Sequence, residues 1–160
     1  MIEQVYISYF YQIRFFKPNC IPISTAVWDP KWYHMNNGQN YIYVDKNGVV
    51  NGLRLPMLSP RPENNHCIKC NHTGDPSTCK FIVEYKKQLE MLDFDIFMDR
   101  LEQNLTTVVK RYLGIVDIDE VIPIFMVHEA PDNKCSERIP LMEWFERNDI
   151  ECIEWMDNLT

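Results

Sequence analysis

Glycine is scarce in this sequence, with 5 residues in 160, whereas the chain carries 8 Phe, 4 Trp and 8 Tyr. Disordered segments are poor in aromatic residues and cannot bury enough apolar surface to fold. The length matches that of one domain. We therefore predict a single packed domain over residues 1–160, and its pattern of strands and helices predicts an α/β fold.

The chain also lacks long apolar runs and an excess of positive charge. No stretch approaches the ~18 apolar residues of a membrane-spanning helix, and MIEQVYISYFYQIRFF lacks the features of a signal peptide. The net charge of −7 disfavours a broad nucleic-acid-binding surface, because phosphate backbones are bound by clustered Lys and Arg. We expect a cytoplasmic protein without a membrane partner, in which the six cysteines are not paired as disulfides.

Four apolar segments predict the strands of a sheet. They cover residues 4–13, 20–27, 121–127 and 150–155 and are rich in β-branched and aromatic residues. Residues 121–127, VIPIFMV, are apolar at every position. Such a strand is typical of the centre of a mostly parallel sheet, with helices covering both faces. We expect this strand to be flanked by the first two.

Three helices complete the predicted fold. Asp75 followed by Pro76 indicates the start of the first helix, and Asp93 that of the second, which ends at Gly114. Ser136 is the predicted cap of the third. The alternation of strands and helices indicates an open, mostly parallel α/β sheet.

Residues 28–80 are rich in Pro, Asn and Gly and predict an elaborated connection within the one domain. Within them, YIYVDKNGVVNGL predicts a hairpin that turns at residues 46–48.

Three cysteines and two histidines lie in the segment NNHCIKCNHTGDPSTCKF. The C-x2-C pair Cys67 and Cys70, followed by Cys79, predicts a structural zinc knuckle, because one tight turn can bring two thiolates to a tetrahedral ion. His72 is favoured as the fourth ligand over His66, which directly precedes a cysteine. The segment has few apolar residues, so a metal would supply the stability that packing does not.

Two other interpretations of this segment stay open, namely unligated thiols and a redox dithiol. A redox C-x2-C pair follows a strand and opens a helix, whereas this pair follows SPRPENN.

Polar and aromatic side chains follow the predicted strands at their carboxyl ends, where open α/β sheets bind ligands. The candidate ligand-binding residues are Ser8, Tyr9, Ser24, Trp28, His128, Ser136 and Arg138. Hydroxyls, an aromatic ring, an arginine and a helix N-terminus suit an anionic ligand. In an enzyme, Glu129 would act as acid or base and Cys135 as a nucleophile activated by the helix dipole.

Arg138 is the predicted anion clamp. A positive charge near a helix N-terminus opposes the helix dipole, so a ligand explains this arginine better than folding does. The alternative is an ion pair with Glu129 or Glu143.

The segments VYISYFYQI and IPISTAVWDPKWY resemble the opening of domain-of-unknown-function family 488, in which the second strand leads into a P-x-W/F loop. FMVHEAPDNKCSERIPLMEWFERNDIECIEW is similar to the end of that family, with its E-x-P turn and a Cys that opens a helix. CKFIVEYKKQLEMLDF is similar to a phage- and bacteria-associated branch. The resemblance implies an α/β fold but no particular activity.

Three departures from the family's pattern bear on the site. Members have Cys, His and Arg in succession where this chain has Ser136 and Glu137 between Cys135 and Arg138. His128 stands where Cys is common, and an Arg common at the end of the second strand is absent.

Together, these patterns predict a protein that binds or acts on a phosphorylated or nucleotide-like small molecule at the strand ends. The alternative is a non-catalytic interaction protein of phage or mobile-element origin, which would work through its acidic and aromatic surface.

Overall fold

The fold is built around a parallel sheet with helices, in a computed structural model that describes residues 2–36, 39–61, 77–132 and 135–157. In the described residues the strands, in chain order, are β1 (Gln4–Tyr9), β2 (Cys20–Ser24), β3 (Met35–Asn36), β4 (Gln39–Asn40), β5 (Tyr43–Val44), β6 (Val50–Asn51), β7 (Ile122–Val127) and β8 (Glu151–Glu154). The α-helices are α1 (Lys31–His34), α2 (Lys80–Glu90), α3 (Phe94–Leu113) and α4 (Arg138–Arg147).

Four of the strands pair in parallel in the order β2–β7–β1–β8. Ile7 of β1 and Ile23 of β2 both pair with Phe125 of β7. The apolar strand therefore lies between the first two strands, as predicted from its sequence. All of its residues except the first are buried.

Two predicted strands end earlier than expected. The first ends at Tyr9 rather than at residue 13, because residues Phe10–Phe15 turn into a 3-10 helix that buries Phe10 and Ile13. The second ends at Ser24 rather than at residue 27. Aromatic and β-branched composition does not distinguish a strand from a short helix that packs its apolar side chains on the same sheet.

The three long helices cover one face of the sheet. Their apolar side chains join those of the strands in the main core, which includes Ile7, Ile23, Tyr85, Phe97, Leu101, Phe125, Trp144 and Phe145. The predicted ends of α3 are confirmed: the side chain of Asp93 accepts a hydrogen bond from the Ile96 amide at 3.1 Å, and Gly114 has a left-handed φ of 68°. The predicted start of α2 differs, since this helix begins at Lys80, with Cys79 as its N-cap. Asp75 and Pro76 lie outside the described residues.

The opposite face is covered by shorter elements. The prediction of helices on both faces is therefore confirmed for one face, whereas short helices and a hairpin cover the other. The 3-10 helix Phe10–Phe15, the single turn α1 and the β5–β6 hairpin contribute Phe10, Ile13, Tyr33 and Val49 to a second apolar cluster. The hairpin turns where predicted, and Gly48 has a φ of 82° there. Asp45 accepts hydrogen bonds from the amides of Asn47 and Val49, which holds this turn.

No helix in the four described ranges has the length and apolar character needed to cross a membrane.

Candidate functional site at the carboxyl edge of the sheet

The chain leaves two neighbouring strands on opposite faces of the sheet. After β1 it enters the 3-10 helix on one face, and after β7 it leads to α4, which packs on the other face. This divergence opens a crevice at the carboxyl edge, where ligands bind in open α/β sheets. The edge carries Ser8 and Tyr9 from β1, Ser24 from β2, and His128 and Glu129 after β7.

A cavity of about 190 Å³ opens at this edge. Its walls come from the segment after β2, the segment after β7, the start of α2 and the residue before α4. The lining residues are Ala26, Val27, Trp28, Pro60, Phe81, His128, Glu129 and Glu137. Three predicted site residues, Trp28, His128 and Glu129, therefore lie around one cavity.

Two glutamates face this cavity, and sequence reasoning singled out only Glu129. Glu137 is 5% exposed. Its burial and, to a smaller extent, the charge of Glu129 raise its pKa from 4.5 to about 8. Oε2 of Glu129 is buried as well and has no hydrogen-bond partner in the part of the chain that the structure describes. The cavity therefore pairs a carboxyl group that holds its proton at neutral pH with a second carboxyl group.

Thr25 connects Glu137 to the end of β7. The Thr25 hydroxyl donates to the carbonyl oxygen of Met126 at 3.0 Å and also hydrogen-bonds with Glu137. The hydrogen bond with Thr25 lowers the pKa of Glu137 and so opposes, to a smaller extent, the effect of burial.

Arg138 is buried and engaged with protein groups. Its Nε donates to Oε1 of Glu154 at 2.6 Å, and one terminal nitrogen donates to the carbonyl oxygen of Glu129 at 2.7 Å. The guanidinium also lies 6.0 Å from the ring centroid of Tyr9. An ion pair with Glu154 on β8, rather than with Glu129 or Glu143, thus accounts for a positive charge at this helix start.

A buried ion pair holds the segment after β2. The side chain of Asp29 is fully buried, and its Oδ2 lies 2.9 Å from Nε of Arg54. The Ser24 hydroxyl donates to Oδ1 of Asp29, and the Ala26 amide donates to the Ser24 oxygen at 3.1 Å. Ser24 is thereby committed to the loop that forms one wall of the cavity.

Ser8 and Tyr9 of β1 also lie at this edge, as do His128 and Trp28 in the loops that follow β7 and β2. The Ser8 hydroxyl is buried without a hydrogen-bond partner among the described residues, and the Tyr9 hydroxyl accepts a hydrogen bond from Gln12 at 2.8 Å. Nε2 of His128 contacts the carbonyl oxygen of Trp28, and its ring centroid lies 5.0 Å from that of Phe10. The Trp28 side chain is 74% exposed.

Cys135 and Cys79 share a small apolar cluster with Phe81 and Ile82. Both cysteines are buried, and Cys135 is not among the residues that line the cavity. The Ser136 hydroxyl accepts a hydrogen bond from the Arg138 amide at 3.2 Å, but the N-cap position of α4 is Glu137 rather than the predicted Ser136.

Of the predicted zinc ligands, the structure describes Cys79, at the N-terminus of α2. Cys67, Cys70, His72 and the alternative His66 lie outside the described residues. Within residues 2–36, 39–61, 77–132 and 135–157, no cluster of three or more His, Cys, Asp or Glu side chains is arranged to hold a metal ion.

Comparison with protein-family models, with curated proteins and with solved structures found no match to this chain.

Proposed function

We propose that the cavity at the carboxyl edge binds the sugar or base of a nucleotide-like small molecule and supports proton transfer to or from it. The observation that carries this proposal is the pairing of Glu137, whose pKa is raised to about 8, with Glu129 at one cavity. Neighbouring carboxyl groups with pKa values pushed apart are the usual arrangement of a general acid and a general base. Glu137 is the proposed proton donor and Glu129 the acceptor.

The charges at the cavity favour the uncharged part of such a ligand over its phosphate. The guanidinium of Arg138 is already paired with Glu154, and the carboxylate of Glu129, the proposed proton acceptor, would repel an anion. The cavity volume of about 190 Å³ is below the ~300–1,000 Å³ of typical drug-sized sites. A sugar ring or a single base, which offers both hydroxyl or amino donors and acceptors, suits this volume and chemistry.

The other predicted roles fit this proposal in part. His128 and Trp28 border the cavity and would contact the ligand. Cys135 lies outside the lining, so the proposed chemistry uses no nucleophilic step. The resemblance to family 488 and a cytoplasmic location are retained as proposals.

A structural zinc ion held by Cys67, Cys70, Cys79 and His72 is also a proposal. Cys79 suits this role because it lies at the end of the cysteine-rich segment, as the N-cap of α2. Its place at the start of α2 would tie the cysteine-rich segment to the helix layer.

The test is a titration of the full chain with uridine, adenosine and ribose, followed by calorimetry. We expect at least one of these compounds to bind, and Glu137→Ala or Glu129→Gln to weaken that binding about tenfold, since a hydrogen-bond donor or a charged partner is lost. Binding to the wild-type protein should also weaken above about pH 8, where Glu137 loses its proton.

The matched control is Glu90→Gln, at an exposed glutamate at the end of α2, which should bind like the wild type. Equal affinity in Glu137→Ala and the wild type, or the absence of binding of all three compounds, would contradict the proposal.

One observation favours the alternative of a non-catalytic interaction protein, namely the exposed indole ring of Trp28 beside the cavity. Large exposed aromatic rings are enriched at protein interfaces. On this alternative, none of the three compounds binds, and Glu137→Gln alters only stability.

A further inference from the structure

A second and larger cavity lies on the opposite face of the sheet from the long helices. Its volume is about 610 Å³, within the range of small-molecule sites. One wall is the 3-10 helix Phe10–Phe15, and the other is formed by α1 and the β5–β6 hairpin. None of the candidate site residues at the carboxyl edge lines this cavity.

Aromatic rings form much of the lining. Phe10, Tyr11, Trp32 and Tyr43 come from both walls. Trp32 is 48% exposed and meets Phe10 edge-on, with ring centroids 6.4 Å apart and planes at 87°. The Tyr43 hydroxyl donates to the Trp32 carbonyl oxygen, which ties the hairpin to α1. The rings are thus held by the fold and offer aromatic surface to a ligand in the cavity.

Two cations stand at this cavity in a chain of net charge −7. Arg14 and Lys46 are exposed lining residues, and neither forms an ion pair with an acidic residue in the part of the chain that the structure describes. The guanidinium of Arg14 stacks on Tyr11 at 3.6 Å from the ring centroid, which holds the charge beside the cavity.

The acidic residue in the lining, Asp45, already accepts hydrogen bonds within the hairpin. Asp45 accepts hydrogen bonds from the amides of Asn47 and Val49, and its Oδ2 accepts from Nδ2 of Asn51 at 2.9 Å. The cavity therefore carries one more positive than negative charge, and the carboxylate faces the hairpin turn.

An unsatisfied acceptor belongs to the lining of the cavity. Asn51 is fully buried and lines the cavity. Its Nδ2 donates to Asp45 and to the Val49 carbonyl oxygen, but its Oδ1 has no hydrogen-bond partner among the described residues. A buried acceptor without a partner is costly. The N–H group of a ligand that reaches Asn51 would satisfy it.

We infer that this cavity is a binding site for a planar heteroaromatic ligand with a negatively charged group, of the class of a nucleoside monophosphate. The rings would stack on the base, Asn51 would accept from an N–H group of the base, and Arg14 and Lys46 would bind the phosphate. A free mononucleotide fits better than a nucleic-acid strand, because the acidic chain as a whole repels a polyanion. The site is separate from the carboxyl-edge cavity and does not depend on it.

The test is a titration of the ¹⁵N-labelled full chain with adenosine 5′-monophosphate, with adenosine, ribose 5-phosphate and a thymidine oligonucleotide as comparison ligands. We expect the monophosphate to shift amide signals of residues 10–14 and 43–47. Adenosine and ribose 5-phosphate should each bind about tenfold more weakly, because one lacks the charge and the other lacks the stacking base.

The double variant Arg14→Gln, Lys46→Gln should weaken the monophosphate at least about tenfold. Its matched control, Arg100→Gln, Lys110→Gln, removes the same charge from exposed positions of α3 and should leave affinity unchanged. Trp32→Leu tests the stacking independently and should also weaken binding about tenfold.

Any of the following results would overturn the inference: monophosphate affinity unchanged in the double variant, ribose 5-phosphate binding as tightly as the monophosphate, or the oligonucleotide binding where the monophosphate does not. Shifts confined to residues 25 and 128–137 would place the ligand at the carboxyl edge and would likewise overturn it, without affecting the proposed function.

Discussion

Arg138 and Glu154 form the best-defined buried ion pair at the carboxyl edge. Their side chains are 4% and 28% exposed, and the guanidinium also bonds the Glu129 carbonyl oxygen. Burial raises the pKa of Glu154, and the charge of Arg138 opposes that change. The pair joins α4 to β8 and fixes the loop that carries Glu129, so its contribution is first of all to the fold.

Replacing Arg138 should therefore destabilise the protein. We expect Arg138→Ala to lower the free energy of unfolding by about 2–4 kcal/mol, because it leaves Glu154 without its partner in a largely buried position. Urea denaturation at neutral pH measures the change. Arg147→Ala, at an exposed site in the last turn of the same helix, is the control and should cost at most about 1 kcal/mol. Equal stability of the two variants would refute this account of Arg138.

Glu137 should make stability depend on pH. Its pKa is about 8 in the folded protein against an ordinary 4.5, so between these values the unfolded chain releases a proton that the folded chain keeps. The free energy of unfolding should then fall as pH rises through this window, by up to about 1.4 kcal/mol per unit from this group. Urea denaturation at pH 5 and pH 8 measures the slope.

In Glu137→Gln this slope should become shallower, because the side chain no longer titrates. Glu90→Gln serves as the control and should keep the slope of the wild-type protein. A slope that is the same in all three proteins would show that Glu137 ionises normally.

Sequence reasoning located the edge of the sheet but not the residues that matter most there. His128 and Glu129 were found because they directly follow a strand whose apolar run is unmistakable. Glu137 and Asp29 were not, because their burial comes from segments that meet only in the folded chain. The partner of Arg138 was missed for the same reason, since Arg138 begins α4 and Glu154 lies on β8, 16 residues further along the chain.

At the scale of elements, α3 is a helix for which the sequence predicts both ends. Asp93→Ala should lower the free energy of unfolding by about 1 kcal/mol, because the Ile96 amide loses its cap. Chemical denaturation of this variant beside Asp99→Ala, the same substitution at an exposed mid-helix position, separates capping from loss of charge. A cost for Asp99→Ala equal to that of Asp93→Ala would contradict a capping role.

The elements that sequence reasoning misjudged are the short ones. Residues Phe10–Phe15 continue the aromatic composition of β1, yet they form a 3-10 helix because Phe10 and Ile13 then point to the same sheet face. The hairpin was predicted from its turn residues, but its packing on that face with α1 was not, because elements this short show no hydrophobic period.

At the scale of the whole molecule, the zinc proposal predicts the metal content of the purified protein. Native mass spectrometry of protein purified without added metal should show one zinc ion per chain, and a chelator should lower the melting temperature. Cys79→Ser should reduce zinc content, whereas Cys20→Ser, at a buried thiol of β2 outside the proposed ligand set, should not. A metal-free wild-type protein with an unchanged melting temperature in chelator would remove the zinc proposal.

The sheet order has a consequence for the synthesis of the chain. β1 pairs with β7 and β8, and β2 pairs with β7, so both N-terminal strands find their parallel partners among residues 122–154. On the ribosome, residues 4–24 must therefore wait until residues 122–154 have been made before the sheet can close. Such distant pairing slows folding and leaves apolar strands exposed meanwhile. A nascent chain stalled before residue 121 should consequently be a strong client for chaperones, and release of residues 121–154 from the ribosome should end that dependence.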